Sequence, residues 1–148
     1  IIGYGPLGRT LGRILLSQDV AVVVLEMNID TVRELKERKE HAIYGDATQM
    51  EVLKHAGVEH ASRLIISSSG VPAREVVRSA KELNPGIRIV IYATYLREAE
   101  ALRNSGADVV FSGEREVALS MSDWLLEDIQ ATDEQIEMER QRIRHELM

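Results

Sequence analysis

The chain has 148 residues, a formal net charge of −6 and no cysteine. That length suits one principal domain with a real core, and the acidic balance offers little to a nucleic-acid backbone, so no nucleic-acid partner is expected. Disulfides, thiolate catalysis and cysteine-based zinc are excluded, and apolar runs of about six residues fall well short of the roughly twenty a membrane helix needs.

Gly3-Tyr4-Gly5-Pro6-Leu7-Gly8 stands near the start, with only Ile1 and Ile2 ahead of it. A glycine fingerprint between a strand and a helix lets the backbone turn tightly and approach a pyrophosphate. The new helix then offers free N–H groups and its positive dipole end to the anion. A strand usually has about five residues, so Ile1-Ile2 reads as the end of a longer one. Without an initiator methionine, a further segment is expected upstream.

The next helix, Arg9–Ser17, carries Leu11, Ile14 and Leu15 at helical spacing, and Gly12 allows a close approach to the sheet. Val20–Leu25 is a continuous apolar run, as in a parallel strand covered on both faces, and it ends at Glu26. A carboxylate there can accept hydrogen bonds from ribose hydroxyls. Met27 and Asn28 bring no cation for a 2′-phosphate, which favours NAD or an adenosine nucleotide over NADP.

Asn28 is placed to cap a helix containing Ile29, Val32 and Leu35. A short strand, Ala42–Tyr44, runs into Gly45-Asp46-Ala47-Thr48, and Thr48 with Glu51 is expected to form a capping box for a helix closed by Gly57. Arg63–Ser67 is a strand opening into Ser67-Ser68-Ser69-Gly70. A helix over Pro72–Leu83, a strand over Ile87–Tyr92, a helix over Leu96–Ser105 and a strand over Asp108–Phe111 follow. The alternation predicts a Rossmann-like, doubly wound parallel sheet of six strands with an additional C-terminal helix.

After Gly113 the pattern changes. Val117, Met121, Trp124 and Leu125 line one stripe of a helix, while Leu119, Leu126 and Ile129 fall outside it. That is more apolar surface than one sheet covers, so a helix shared with a second subunit is expected across Val117–Ile129. Thr132 and Gln135 form a second capping box that starts a charged helical tail over 131–148.

The segments Gly3–Arg9, Gly45-Asp46-Ala47-Thr48 and Ser112-Gly113-Glu114-Arg115-Glu116 resemble the regulator-of-potassium-conductance N-terminal domain, also called the KTN or TrkA-N domain, over about residues 1–130. The flavour is that of Kef- and YbaL-type monovalent cation/proton antiporters. The resemblance implies a ligand-sensing domain on the cytoplasmic face of the inner membrane, homodimeric, with a membrane-embedded transporter domain preceding it. It also implies a cofactor segment through Gly3, Tyr4, Gly5, Pro6, Leu7 and Gly8, then Glu26 and Met27. Asp46 and Ala47 would border the adenine and Ser67 and Ser68 the opposite wall, with NAD(H) or AMP as ligand and no metal. Leu7 stands where glutathione-gated Kef proteins carry an aromatic residue, and Tyr92 and Thr94 where they carry arginines. Glutathione control is therefore not expected.

An enzyme would need more. No tyrosine is followed four residues later by lysine, no catalytic triad is apparent, and His41, His55, His60 and His145 fall away from the strand ends where ligands bind. The chain reads as a regulatory domain with no catalytic residue. The alternative is a cofactor domain cut from an NAD-dependent oxidoreductase.

Overall fold

The computed structural model describes residues 1–147. Five strands alternate with helices: α1 (Pro6–Ser17), β1 (Val23–Glu26), α2 (Ile29–Glu37), β2 (His41–Tyr44), α3 (Met50–His55), β3 (Arg63–Ile66), α4 (Ala73–Leu83), β4 (Arg88–Ala93), α5 (Leu96–Asn104) and β5 (Val109–Ser112). Two further helices, α6 (Gly113–Asp128) and α7 (Asp133–Glu146), complete the chain, and a 3-10 turn at Val58–His60 precedes β3.

All strand pairs are parallel. β1 lies beside β2, with Val23 opposite His41 and Glu26 opposite Tyr44. β3 pairs with β4 and β4 with β5. The expected six-stranded sheet is thus a two-stranded and a three-stranded ladder, joined only at Ile2, which bridges to Leu25 on one side and Ile66 on the other. Only Ile1 and Ile2 stand ahead of Gly3, where the backbone turns out of the ladder with φ +83°, so the sixth strand is represented by the Ile2 bridges alone. That left-handed conformation favours glycine.

Burial follows the periodicity of the sequence. Leu53, Ile66, Val76, Val77, Ile89 and Ile91 are almost wholly buried in the main core. A smaller core behind β1 gathers Tyr4, Val24, Val32, Leu35 and Ala42. Asn28 caps α2, its Oδ1 accepting from the N–H groups of Asp30 and Thr31. The capping box expected from Thr48 and Glu51 does not form. Helix α3 starts after Gln49 with no side-chain cap, because Thr48 gives both its N–H (2.9 Å) and its hydroxyl (2.8 Å) to Asp46 Oδ1. A short polar side chain closing its own turn competes directly with helix capping.

The box at Thr132 and Gln135 does form. It starts α7, which folds back on α6. Arg140 grips Asp123 with two hydrogen bonds of 2.8 and 2.9 Å, and Ile136 is buried.

Candidate nucleotide-binding site

Parallel sheets of this kind bind ligands beyond the carboxyl ends of their strands, where the chain switches direction across the sheet. Here that point lies between β1 and β3, on either side of Ile2. The backbone leaves Ile2, turns at Gly3 and enters α1, whose N-cap is Gly5 and whose first helical residue is Pro6.

Two glycines are required by close approach. The Gly3 N–H bonds the Leu25 carbonyl at 3.0 Å, and a Cβ on Gly3 would lie 2.6 Å from that of Ser68. A Cβ on Gly8 would collide with the Gly3 carbonyl oxygen and come within 2.8 Å of Ser67 Oγ. Gly5 differs, because nothing lies within 4 Å of where its Cβ would stand. The turn is tight at Gly3 and Gly8 and open at Gly5.

Ser67, at the end of β3, ties the opposite wall to this turn. Its hydroxyl is shared between the carbonyls of Gly3 (2.8 Å) and Ile2 (3.2 Å). Ser68 packs against Gly3. The two serines therefore shape the loop, and their exposure is intermediate.

Glu26 lies at the other lip. Its carboxylate accepts the N–H of Tyr4 at 2.7 Å, of Met27 at 2.8 Å and of Asn28 at 2.9 Å. It thus holds the glycine loop to the turn after β1. An ionised carboxylate offers about four acceptor positions, and these contacts use three, all with backbone donors.

Asp46 and Ala47 follow β2, whose end is fastened to β1 by the Gly45 N–H bonding the Glu26 carbonyl at 3.1 Å. The hydrogen bonds from the Thr48 N–H and then the Thr48 hydroxyl hold the Asp46 carboxyl below its usual range. The Ala47 side chain is buried in the main core, which leaves its backbone to border the crevice. Tyr4 is similar: its ring packs in the smaller core and its hydroxyl reaches Glu40 at 3.3 Å. Burial, and then the Glu40 charge, raise the Tyr4 pKa. Met27 and Leu7 are exposed at 65% and 39%. Glycine loop, Glu26, Asp46 and the serine wall thus converge on one end of the sheet, while the Tyr4 and Ala47 side chains turn into the cores.

Arg9 escaped the sequence reading as a site residue. It sits in the first turn of α1 and its Nε donates to the Tyr4 carbonyl at 3.1 Å. A cation at a helix N-terminus is unfavourable by itself. The first turn of α1 also carries no acid and no side-chain cap, whereas each of α2 to α7 has Asp or Glu in its first turn. Pro6 has no N–H, and those of Leu7 and Gly8 find no backbone or side-chain acceptor among the described residues. The signal was legible as a basic residue directly after the fingerprint. Among the described residues no three His, Cys, Asp or Glu side chains converge to hold a metal ion.

Comparison with known proteins places the chain in a family. The family model described as the TrkA-N domain matches residues 1–113. The candidate cation/proton antiporter YbaL of Escherichia coli K12 is 39% identical over 126 residues, which is 84% of this chain and 23% of that protein. The chain therefore spans less than a quarter of that relative. The crystal structure of the TrkA-N domain of the E. coli inner membrane protein YbaL superposes with a TM-score of 0.80 at 39% identity, over 84% of this chain and 93% of that one. The GsuK channel bound to NAD gives 0.71 at 26% identity, over 84% and 22%. The Shewanella denitrificans Kef C-terminal domain in its AMP-bound form shares the fold at 0.78 and 23% identity, over 99% and 90%. The resemblance read from the sequence is borne out, and the chain belongs to the TrkA-N domain family.

Proposed function

We propose that this domain is the nucleotide-sensing regulatory unit of a monovalent cation/proton antiporter or related potassium transport system. It would lie at the cytoplasmic face of the inner membrane, tethered to a transporter domain that precedes it. Residues 1–130 form the sensor, followed by a tail carrying α7 (Asp133–Glu146); the last residue of the tail expected over 131–148 lies outside the described residues. The ligand is an adenine nucleotide, NAD(H) or AMP. The observation that carries the reading is the start of α1: no cap, no acid, and open N–H groups at Leu7 and Gly8 beside Glu26. The solved GsuK structures with ADP and with NAD, at 26% identity, support the ligand class.

In this reading the phosphate lies over Gly5 against the Leu7 and Gly8 N–H groups, within reach of Arg9. Glu26 turns its remaining acceptor position to a ribose hydroxyl, or exchanges the Tyr4 N–H for one. Adenine lies between the Asp46–Ala47 backbone and the Ser67–Ser68 wall. The reading assigns no catalytic residue, and the histidines support it. His41 opens β2, His55 ends α3 and His60 sits before β3, all at the opposite end of the sheet, and His145 is in α7.

Sensing requires that different nucleotides favour different states, because a ligand that binds both equally shifts nothing. A coupling of about 1–3 kcal/mol changes an equilibrium about 5- to 150-fold. The responding element is α6. Val117, Met121, Trp124, Leu125 and Ile129 are 53–72% exposed, and the first four line a groove of about 440 Å³. An apolar stripe of this kind on a helix marks an interaction face, which supports a homodimer through Val117–Ile129. Helix α6 is pinned to the ligand end of the sheet, since Glu114 Oε2 accepts the Leu96 N–H at 2.7 Å.

Calorimetry with AMP, NAD, NADH and ATP tests the site. Glu26→Ala should weaken binding about 10- to 100-fold, the worth of about one hydrogen bond to a charge; unchanged affinity would contradict the ribose assignment. Two alanines separate scaffold from site. Gly8→Ala should lower stability by about 1–3 kcal/mol through overpacking. Gly5→Ala meets open space and should cost at most about 1 kcal/mol at the N-cap, yet reduce nucleotide affinity about tenfold or more by excluding the phosphate. Wild-type affinity in Gly5→Ala would place the phosphate elsewhere. Sedimentation should show a dimer that Trp124→Glu converts to monomer, and a wild-type monomer at high protein concentration would overturn the α6 interface.

A further inference from the structure

Helices α1, α2, α5 and α6 end in the same way. In each, the second residue past the cap donates its N–H to a carbonyl five residues back. Val20 donates to Leu15 at 3.0 Å, Glu40 to Leu35 at 2.9 Å, Ala107 to Leu102 at 3.2 Å and Ala131 to Leu126 at 2.9 Å. The residue before each donor is left-handed: Asp19, Lys39, Gly106 and Gln130. An apolar contact from the donor residue back to the last turns of the helix usually accompanies this ending. Val20, Ala107 and Ala131 suit that contact, whereas α2 puts the carboxylate of Glu40 in its place.

Glu40 is partly buried. Although Arg38 and Lys39 precede it, none of the ion pairs among the described residues includes it. Its Oε2 instead accepts the Tyr4 hydroxyl at 3.3 Å. Burial, and then the Glu40 charge, raise the pKa of that phenol, so it keeps the proton it donates. Glu40 directly precedes β2 and so lies at the amino end of the strands, away from the crevice. The Tyr4 ring spans the gap through the smaller core. Gly12 of α1 leaves room for it, because a Cβ there would lie 3.1 Å from Tyr4 Cε2 and Oη. The backbone of the same residue belongs to the glycine loop. Its N–H is held by Glu26 at 2.7 Å and its carbonyl by Arg9 at 3.1 Å.

We propose that Glu40 is a positioning residue for the nucleotide site, acting through the Tyr4 side chain to fix the glycine loop. The proposal rests on the nucleotide reading of the crevice. Tyr4 is fastened at both ends, its hydroxyl to Glu40 and its backbone to Glu26 and Arg9. Releasing the hydroxyl lets the ring tilt in the core, and the Tyr4 N–H and carbonyl move with it. Glu26 and Arg9, the groups placed beside ribose and phosphate, then lose their common anchor. Binding groups work only when supporting contacts hold them within about 0.5 Å of the productive geometry, and a loop ordered beforehand costs less to order on binding. Glu40 touches no ligand, yet it sets affinity from the opposite end of the sheet.

Calorimetry with AMP and amide exchange in the ligand-free protein test this together. Glu40→Ala should weaken AMP binding about fivefold or more, whereas Glu40→Gln, which keeps an acceptor, should stay within about twofold of wild type. Tyr4→Phe keeps the ring and should match Glu40→Ala, and the double variant should lose no more than either single one. Without ligand, Glu40→Ala should speed exchange of the Tyr4 and Arg9 amides about fivefold or more and leave the Ile89 amide of β4 unchanged. Wild-type affinity and exchange in Glu40→Ala would overturn the proposal. So would a lowered thermal midpoint with neither of them changed, because Glu40 would then only stabilise the end of α2. Additive losses in the double variant would overturn it as well. If the wild type binds no AMP, the reading of the crevice fails separately, and exchange at Tyr4 and Arg9 decides whether Glu40 holds the loop.

Discussion

The two halves of this sheet meet at one residue. Ile2 is 3% exposed and bonds β3 through its N–H and its carbonyl, while its neighbours Ile1 and Gly3 bond β1. One turn later the same segment becomes the glycine loop. The main chain that joins the ladders is therefore the main chain that forms the candidate phosphate site. Gly3 must be glycine for its φ and for Ser68, and Gly8 for the Gly3 carbonyl. Changes that loosen the seam should disturb the crevice, which explains why Ser67 and Glu26 spend their hydrogen bonds on backbone rather than on solvent.

This economy also explains the polarity of the site. Glu26 brings a carboxylate to backbone donors of the loop, and Arg9 brings a guanidinium to a backbone carbonyl of it. Both charges are locally engaged, so the crevice is organised before any ligand arrives. Preorganised groups cost little further ordering on binding. Among the described helices α1 to α7, α1 has neither a side-chain cap nor an acid in its first turn, and in the proposed reading a nucleotide phosphate would supply what the other six carry as Asp or Glu.

Most of this was legible in the sequence. Short apolar runs alternating with helical patterns placed β1 to β5, and Asn28 and Thr132 announced real caps because nothing nearby competed for their side chains. The failures were local competitions. Thr48 looked like a cap, but Asp46, two residues earlier, takes its hydroxyl. Periodicity could not reveal that. The sixth strand is represented only by the two bridges of Ile2, because two residues ahead of Gly3 are too few to form a ladder. The fingerprint located the crevice but could not say which side chains face it. Tyr4 and Ala47 belong to it by position, yet their side chains fill the cores, while Arg9 lies beside it and went unassigned. Side-chain direction at a turn depends on contacts across about twenty to sixty residues of sequence, such as Glu26 with Tyr4 and Ser67 with Gly3.

The central claim is that the turn from Gly3 to Gly8 receives a phosphate whose ribose is held by Glu26. Amide chemical shifts followed by NMR while AMP is added would test it most directly. The account predicts saturable shifts concentrated at Tyr4, Leu7, Gly8 and Met27, with the far edges of the sheet unmoved. Shifts that do not saturate, or that cluster on α6 or at the opposite end of the sheet while these four amides stay still, would contradict it.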